Sequence, residues 1–237
     1  MEKPDDGHAK EFSRRDARAR GMAVNPWWMV PLWGVLGALV GAPLSRLTHA
    51  SLTVPRRDHP LATTAAVSSA TAVLFGLLAW RVNLHPELLA DSALAAVCVP
   101  LAVTDLLENR MPARLLLPAY PSLAALFGLA AIVEHNGAAM LHSCAGMAIL
   151  FTFYLLIALA APGALGAADV RLAGLLGLAL AWRGWDTFLS GAVLGLLYGG
   201  LTGATLILLR RATRHTQIPL GPALITGAFT AFLAPIG

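Results

Sequence analysis

The sequence predicts an all-α fold, a polytopic bundle of membrane helices, and two observations carry that prediction. Of the 237 residues, 57% are hydrophobic and only 13% are charged, whereas a soluble domain usually carries about 25% charged residues. The apolar residues also fall into blocks of roughly 17 to 24, the length of helix that crosses a bilayer. We therefore expect about eight transmembrane segments, with six as the lower bound, and no second, water-soluble domain.

Each apolar block predicts one helix. The eight segments cover approximately residues 27–45, 61–80, 88–104, 115–133, 138–161, 170–185, 187–209 and 217–236. The sixth is short and rich in Gly and Leu, which favours a helix that is tilted or buried inside the bundle. Residues 1–26 are polar and mixed in charge, so we expect a disordered tail before a transmembrane peptidase domain over residues 27–237.

The arginines that follow the tail are distributed unevenly between the two sides of the predicted bundle. Two lie in the connections after the second and sixth segments, whereas nine lie in the alternate connections: Arg46, Arg56, Arg57, Arg110, Arg114, Arg171, Arg210, Arg211 and Arg214. The positive-inside rule places these nine in the cytoplasm. The tail, with six basic residues, would then lie outside, against the same rule, which leaves the side of the tail open.

Composition argues against several classes of function. The formal net charge of +4 comes from a few basic clusters, which suit the anionic headgroups of a lipid bilayer. We expect no nucleic-acid partner, because no basic patch is interleaved with aromatic residues. Cys98 and Cys144 lie in apolar segments without Cys-x-x-Cys spacing, and the loop histidines lack metal-ligand spacing, so we expect neither a metal nor a cofactor.

Acidic side chains within or beside apolar segments are costly in a membrane and are therefore functional candidates. Asp105 ends the third apolar segment, and Asp169 opens the sixth after a loop of small residues. Both lie at predicted cytoplasmic helix ends, where two carboxylates can meet across a wet cleft. We interpret the carboxylates of the other side as solvated helix ends or loop residues: Glu87, Asp91, Glu134 and Asp186.

Two carboxylates brought close together can act as an acid and a base. They cannot both ionise, so the pair holds one proton. The ionised member can take a proton from water while the protonated member serves the carbonyl oxygen or the leaving amine. That is sufficient machinery for hydrolysis of a peptide bond without a metal. The same pattern also fits helix caps, or a path for protons or cations.

Three segments of the sequence resemble the motifs of one family, the type IV prepilin peptidases. In residues 105–118 an Asp precedes a Pro by seven positions, which resembles the first active-site segment of that family. Residues 166–172, Gly-Ala-Ala-Asp-Val-Arg-Leu, resemble its Gly-x-Gly-Asp-Val-Lys-Leu motif. Residues 218–224 resemble the Ile-Pro-Phe-Gly-Pro signature that opens its last helix. The resemblance runs from about residue 34 to the C-terminus.

The resemblance implies an aspartic endopeptidase of the GxGD type, with Asp105 and Asp169 as the catalytic pair and no cofactor. Its substrate would be a prepilin-like precursor, cleaved at the cytoplasmic face of the bacterial inner membrane by a multi-pass protein. Faces of small residues allow a homodimer. The residues expected to support the active-site loops are Pro112, Gly166, Ala168, Arg171, Pro219, Gly221 and Pro222.

The sequence departs from the family pattern at several points. Ala168 replaces the second Gly of Gly-x-Gly-Asp, and Arg171 replaces the usual Lys, which keeps the charge but changes its geometry. The first cytoplasmic loop, about residues 46–60, lacks the cysteine pairs of many members, which puts N-methyltransferase activity in doubt. A second hypothesis therefore stays open, a catalytically degenerate protein acting as a small transporter or pilus-assembly scaffold. Glu108 is the alternative partner for Asp105.

Overall fold

The structure is a computed structural model that describes residues 27–52, 63–82, 85–161, 165–208 and 220–234. Every helix in this part of the chain coincides with one of the predicted apolar segments, which confirms the all-α fold class. The predicted tail, residues 1–26, lies outside the described residues. In chain order the helices are α1 (Met29–Ser51), α2 (Thr64–Val82), α3 (Glu87–Glu108), α4 (Ala113–Val133), α5 (Gly137–Ala160), α6 (Ala167–Trp182), α7 (Trp185–Leu208) and α8 (Gly221–Leu233).

Six of these helices are long and apolar enough to cross a membrane: α1, α2, α3, α4, α5 and α7. The other two are shorter, with 16 residues in α6 and 13 residues in α8. The number of membrane-length helices in the described chain therefore equals the lower bound of the sequence prediction.

Helix α6 lies inside the bundle, as the sequence analysis anticipated for the sixth segment. Every residue from Leu172 to Trp182 is buried. A Cβ placed on Gly177 would lie only 2.5 Å from the backbone carbonyl oxygen of Gly146 in α5. Helices α5 and α6 therefore pack backbone against backbone, as small residues allow. This packing fixes the position of the first turn of α6, which contains Asp169.

Two more helix pairs are joined by the same kind of contact. In the α1–α2 pair, a Cβ on Gly41 would lie 2.4 Å from the Cα atom of Ser68. In the α7–α8 pair, a Cβ on Gly227 would lie 2.3 Å from the backbone nitrogen of Gly195. These glycine faces are filled by neighbouring helices of the same chain, so they give no support to the homodimer that the sequence allowed.

Candidate active site

Asp105 lies in the last turn of α3 and is only 5% exposed. Its Oδ2 atom accepts a hydrogen bond of 3.1 Å from the backbone N–H of Gly221, the first residue of α8. The first N–H groups of a helix have no partner within that helix. The carboxylate of α3 therefore satisfies an open donor at the start of α8 and joins two helices that are distant in the sequence.

Position 221 is crowded by two side chains. A Cβ there would lie 2.2 Å from the Cε atom of Met111 and 2.8 Å from Oδ2 of Asp105. Pro222 lies in the first turn of α8, where its missing N–H removes no helical hydrogen bond. Of the predicted supporting residues, Gly221 thus lies directly against Asp105, whereas Pro219 lies outside the described residues.

The connection from α3 to α4 follows Asp105 by one turn. Asn109 ends α3 with a φ of 50°, a left-handed conformation that Asn tolerates better than most residues. Pro112 has an extended backbone and is the N-cap residue of α4. This sharp turn brings Met111 back to the site, and Glu108 is the half-buried last residue of α3.

Asp169 is the third residue of α6, and its carboxylate turns back to the residue that precedes the helix. Its Oδ2 atom accepts a hydrogen bond of 3.1 Å from the backbone N–H of Gly166, the N-cap residue. A Cβ on Gly166 would lie 3.1 Å from the same oxygen, so a small residue suits this position. The carboxylate is thereby held against the start of α6, where the helix dipole favours a negative charge.

Ala168 lies in the first turn of α6 and has an ordinary helical backbone. Among the described residues other than glycine, a positive φ occurs only at Asn109 and His135. The position therefore does not need the conformational freedom of glycine. The replacement of the usual Gly by Ala168 leaves the backbone that carries Asp169 unstrained.

The structure brings the two predicted aspartates together. Asp105 ends α3 and Asp169 begins α6, and their carboxylates lie close enough for their charges to interact. The hydrogen bond described for each of them uses Oδ2, which leaves Oδ1 available to a water molecule or a substrate. A pair of this kind can hold one proton and supply both an acid and a base.

Arg171 belongs to the same end of α6, but its side chain is exposed. Its backbone carbonyl accepts a hydrogen bond from the hydroxyl of Tyr120 in α4. Gly174 makes room for that hydroxyl, since a Cβ there would lie 2.7 Å from it. Arg171 also borders an apolar cavity of about 470 Å³ between α4, α5 and α6. Its backbone thus anchors α4, while its guanidinium lies on the surface.

The interpretation of Asp91 as a solvated residue is wrong. Asp91 lies in the first turns of α3, at the opposite end from Asp105, and is 1% exposed. It forms an ion pair with Arg183, whose guanidinium carbon also lies 5.0 Å from the centre of the Phe232 ring. A buried carboxylate needs such a partner. The sequence did offer a sign of this ion pair in Arg183, because it is one of only two arginines on that side of the predicted bundle.

A model of the type IV leader peptidase family matches residues 92–209, a range that contains both aspartates. Over this range, about half of its length, the chain is similar to that family. It is 29% identical over 168 residues to the prepilin leader peptidase/N-methyltransferase of Bacillus subtilis, across 71% of this chain and 64% of the relative. It is 28% identical over 220 residues to the protein of the same name from Pseudomonas aeruginosa, across 90% of this chain and 69% of the relative.

The match to the leader peptidase family confirms the resemblance drawn from the sequence, and it contains the motifs around both aspartates. The chain spans just under two thirds of the Bacillus subtilis relative. No solved structure matches the chain at a significant level. The bundle and its six membrane-length helices fit a multi-pass membrane protein.

Proposed function

We propose that this chain is an aspartic endopeptidase of the bacterial inner membrane that removes the leader peptide of prepilin-like precursors. One observation carries the proposal. Asp105 and Asp169, from two different helices, lie within reach of each other's charge at one end of the bundle. The names of the two relatives, both prepilin leader peptidase/N-methyltransferases, support the choice of substrate.

The reaction needs only the two carboxylates and a water molecule. The ionised carboxylate takes a proton from the water, and the water oxygen forms a bond to the carbonyl carbon of the scissile peptide. The protonated carboxylate gives its proton to the carbonyl oxygen. In the second step the C–N bond breaks, a proton passes to the leaving amine, and the new carboxyl group is released. One carboxylate again holds a proton at the end of the cycle.

The backbone N–H groups of Gly221 and Gly166 keep both carboxylates in place for this chemistry. Each donates to Oδ2 at 3.1 Å, and such charge-assisted bonds are stronger than bonds between neutral groups. Catalysis depends on side chains whose orientation is set before the substrate arrives. The two N–H groups therefore hold one oxygen of each carboxylate before the substrate arrives.

We assign the site to the cytoplasmic face of the membrane. Arg110, Arg114 and Arg171 lie at the same end of the bundle as the two aspartates, which the positive-inside rule places in the cytoplasm. A precursor whose polar leader is cytoplasmic and whose following segment is apolar would present its cleavage site at this depth. The helix of the precursor must unwind locally before water can reach the peptide bond.

The test is removal of the leader from a co-expressed prepilin, followed as a shift in gel mobility. We expect cleavage by the unmodified chain, and its loss in Asp105→Asn and in Asp169→Asn while both variants remain in the membrane fraction. Asn keeps the size and polarity of Asp, so insertion should not change. Cleavage by Asp169→Asn at the normal rate would contradict the assignment, and absence of cleavage by the unmodified chain would favour a degenerate scaffold or transporter.

A further inference from the structure

Tyr154 is a buried tyrosine whose hydroxyl lacks a partner. It lies in α5, it is 3% exposed, and no hydrogen bond to its hydroxyl oxygen occurs within the described part of the chain. Buried hydroxyl groups are nearly always hydrogen-bonded, because desolvation without a partner is unfavourable. An unpaired hydroxyl in a packed interface therefore indicates a bond that forms in another state of the site.

The position of this hydroxyl is fixed by the packing of α5 on α6. The buried residues of α5 recur at helical spacing and end at Tyr154: Ala139, Ser143, Gly146, Leu150 and Tyr154. Within that face, a Cβ on Gly146 would lie 2.6 Å from the carbonyl oxygen of Gly177 in α6. Contact this close leaves α5 little freedom to shift along α6. The tyrosine ring is therefore held at a constant place beside the start of α6.

Asp169 is the acidic group that Tyr154 meets there. Along α5, Gly146 meets Gly177 and Phe151 meets Gly174 of α6, so the two helices run in opposite directions. Tyr154, almost one turn after Phe151, therefore lies beside the first turns of α6, which carry Asp169. Oδ2 of Asp169 already accepts the N–H of Gly166, so Oδ1 is the oxygen left for another donor. A tyrosine hydroxyl can donate one hydrogen bond.

Tyr120 of α4 offers a comparison beside the same helix. Its hydroxyl donates to the backbone carbonyl of Arg171, two residues after Asp169. Tyr120 therefore has a complete structural role in holding α4 to α6. Tyr154 packs against the same turns of α6, yet its hydroxyl has no such backbone acceptor among the described residues.

We propose that Tyr154 is a positioning residue for the catalytic pair, and that its hydroxyl donates a hydrogen bond to Oδ1 of Asp169 once water fills the site, with or without substrate. The inference rests on the proposed function. With Gly166 on one oxygen and Tyr154 on the other, the plane of the Asp169 carboxylate is fixed, and the second lone pair of Oδ1 still accepts from the water shared with Asp105. Tyr154 itself transfers no proton and does not touch the substrate.

The first test is the kinetics of Tyr154→Phe, which removes one oxygen atom and keeps the ring. Misplacement of a catalytic group by a fraction of an ångström costs about 10- to 100-fold in rate, so we expect kcat to fall by about that factor while KM stays unchanged. Tyr198→Phe, at a half-buried tyrosine of α7, is the matched control and should keep normal kinetics. A normal kcat, or a raised KM with a normal kcat, would overturn the proposal.

The second test does not depend on cleavage. Thermal unfolding midpoints in detergent are measured for the unmodified chain, Tyr154→Phe, Asp169→Ala and the double variant. If the hydroxyl and the carboxylate interact, the two single changes are not additive. Additive changes would overturn the proposal, whether or not the chain cleaves prepilin. Non-additive changes would support the contact. If the chain then cleaved no prepilin, the missing cleavage would count only against the peptidase function.

Discussion

Oδ2 of Asp105 accepts a hydrogen bond from the backbone N–H of Gly221, although the two residues are 116 positions apart in the chain. The bond connects the end of α3 with the start of α8. It also explains why the third motif, which includes Gly221, belongs to the same site as the first. In that motif, Gly221 supplies a backbone N–H donor, and its lack of a side chain leaves room for the carboxylate.

Gly221→Ala should therefore damage activity more than stability. The new Cβ would lie 2.8 Å from Oδ2 of Asp105, which forces the carboxylate to move. We expect an activity loss of about 100-fold and a decrease of about 1–3 kcal/mol in the free energy of unfolding. Both are measured on purified protein, by leader removal and by denaturation in detergent.

Two variants make the test of Gly221 specific. Gly200→Ala, in α7, places its Cβ where nothing lies within 4 Å and should have normal activity. Adding Met111→Ala to Gly221→Ala removes the 2.2 Å contact with Cε of Met111, so stability should recover while activity should not. Recovery of activity in that double variant would mean that Met111, and not Asp105, is the group displaced.

Asp105 and Asp169 should behave as one unit in a double-variant experiment. If hydrolysis needs one acid and one base, either Asp→Asn change removes most of the rate, and both together remove little more. Glu108→Gln should keep most of the activity, because Glu108 only neighbours the pair. An inactive Glu108→Gln together with an active Asp169→Asn would identify Glu108 as the partner of Asp105.

Ala168→Gly should not improve the enzyme. The backbone at this position is helical, so restoring the Gly of the family motif relieves no strain. We expect a loss of about 0.5–1 kcal/mol in the free energy of unfolding, because glycine is less favourable than alanine in a helix, and little change in kcat. A large increase in kcat would show that Ala168 limits catalysis.

Asp91→Ala should destabilise the bundle from the end opposite the site. The change leaves Arg183 buried without its ion-pair partner, which costs about 3–5 kcal/mol in comparable cases. Replacing both residues, in Asp91→Leu with Arg183→Met, should recover part of that loss. The control is Glu134→Gln, at a half-buried helix-end residue, and the measurement is denaturation in detergent. Equal stability of Asp91→Ala and Glu134→Gln would contradict a structural role for the pair.

Methyl transfer to the cleaved pilin is not expected. The connection between α1 and α2, residues 52–63, lacks the cysteine pairs found in many members of the family. Mass spectrometry of a mature pilin produced by this chain should therefore find an unmodified N-terminal amine when S-adenosylmethionine is supplied. A methylated amine from a pure preparation would refute this prediction.

The sequence by itself determined the membrane class and the order of the helices, and it predicted the two aspartates as the candidate pair. These features are local: a block of apolar residues predicts a membrane helix whatever surrounds it, and the motifs around Asp105 and Asp169 are contiguous. The burial of α6 was also foreseeable, since its composition of Gly and Leu suits close packing between helices. Asp91 shows where local reasoning failed, because a carboxylate near a helix start is ordinarily solvated.

Only the tertiary structure decided which residues meet. In a membrane, the faces of a helix that contact lipid and those that contact other helices are both apolar, so hydrophobic periodicity does not reveal which face points inward. The contact of Gly221 with Asp105, the pairing of Asp91 with Arg183 and the burial of Tyr154 all depend on helix neighbours. Which helices become neighbours depends on where glycines let two backbones come close together. That arrangement involves the whole bundle and not any single segment of the sequence.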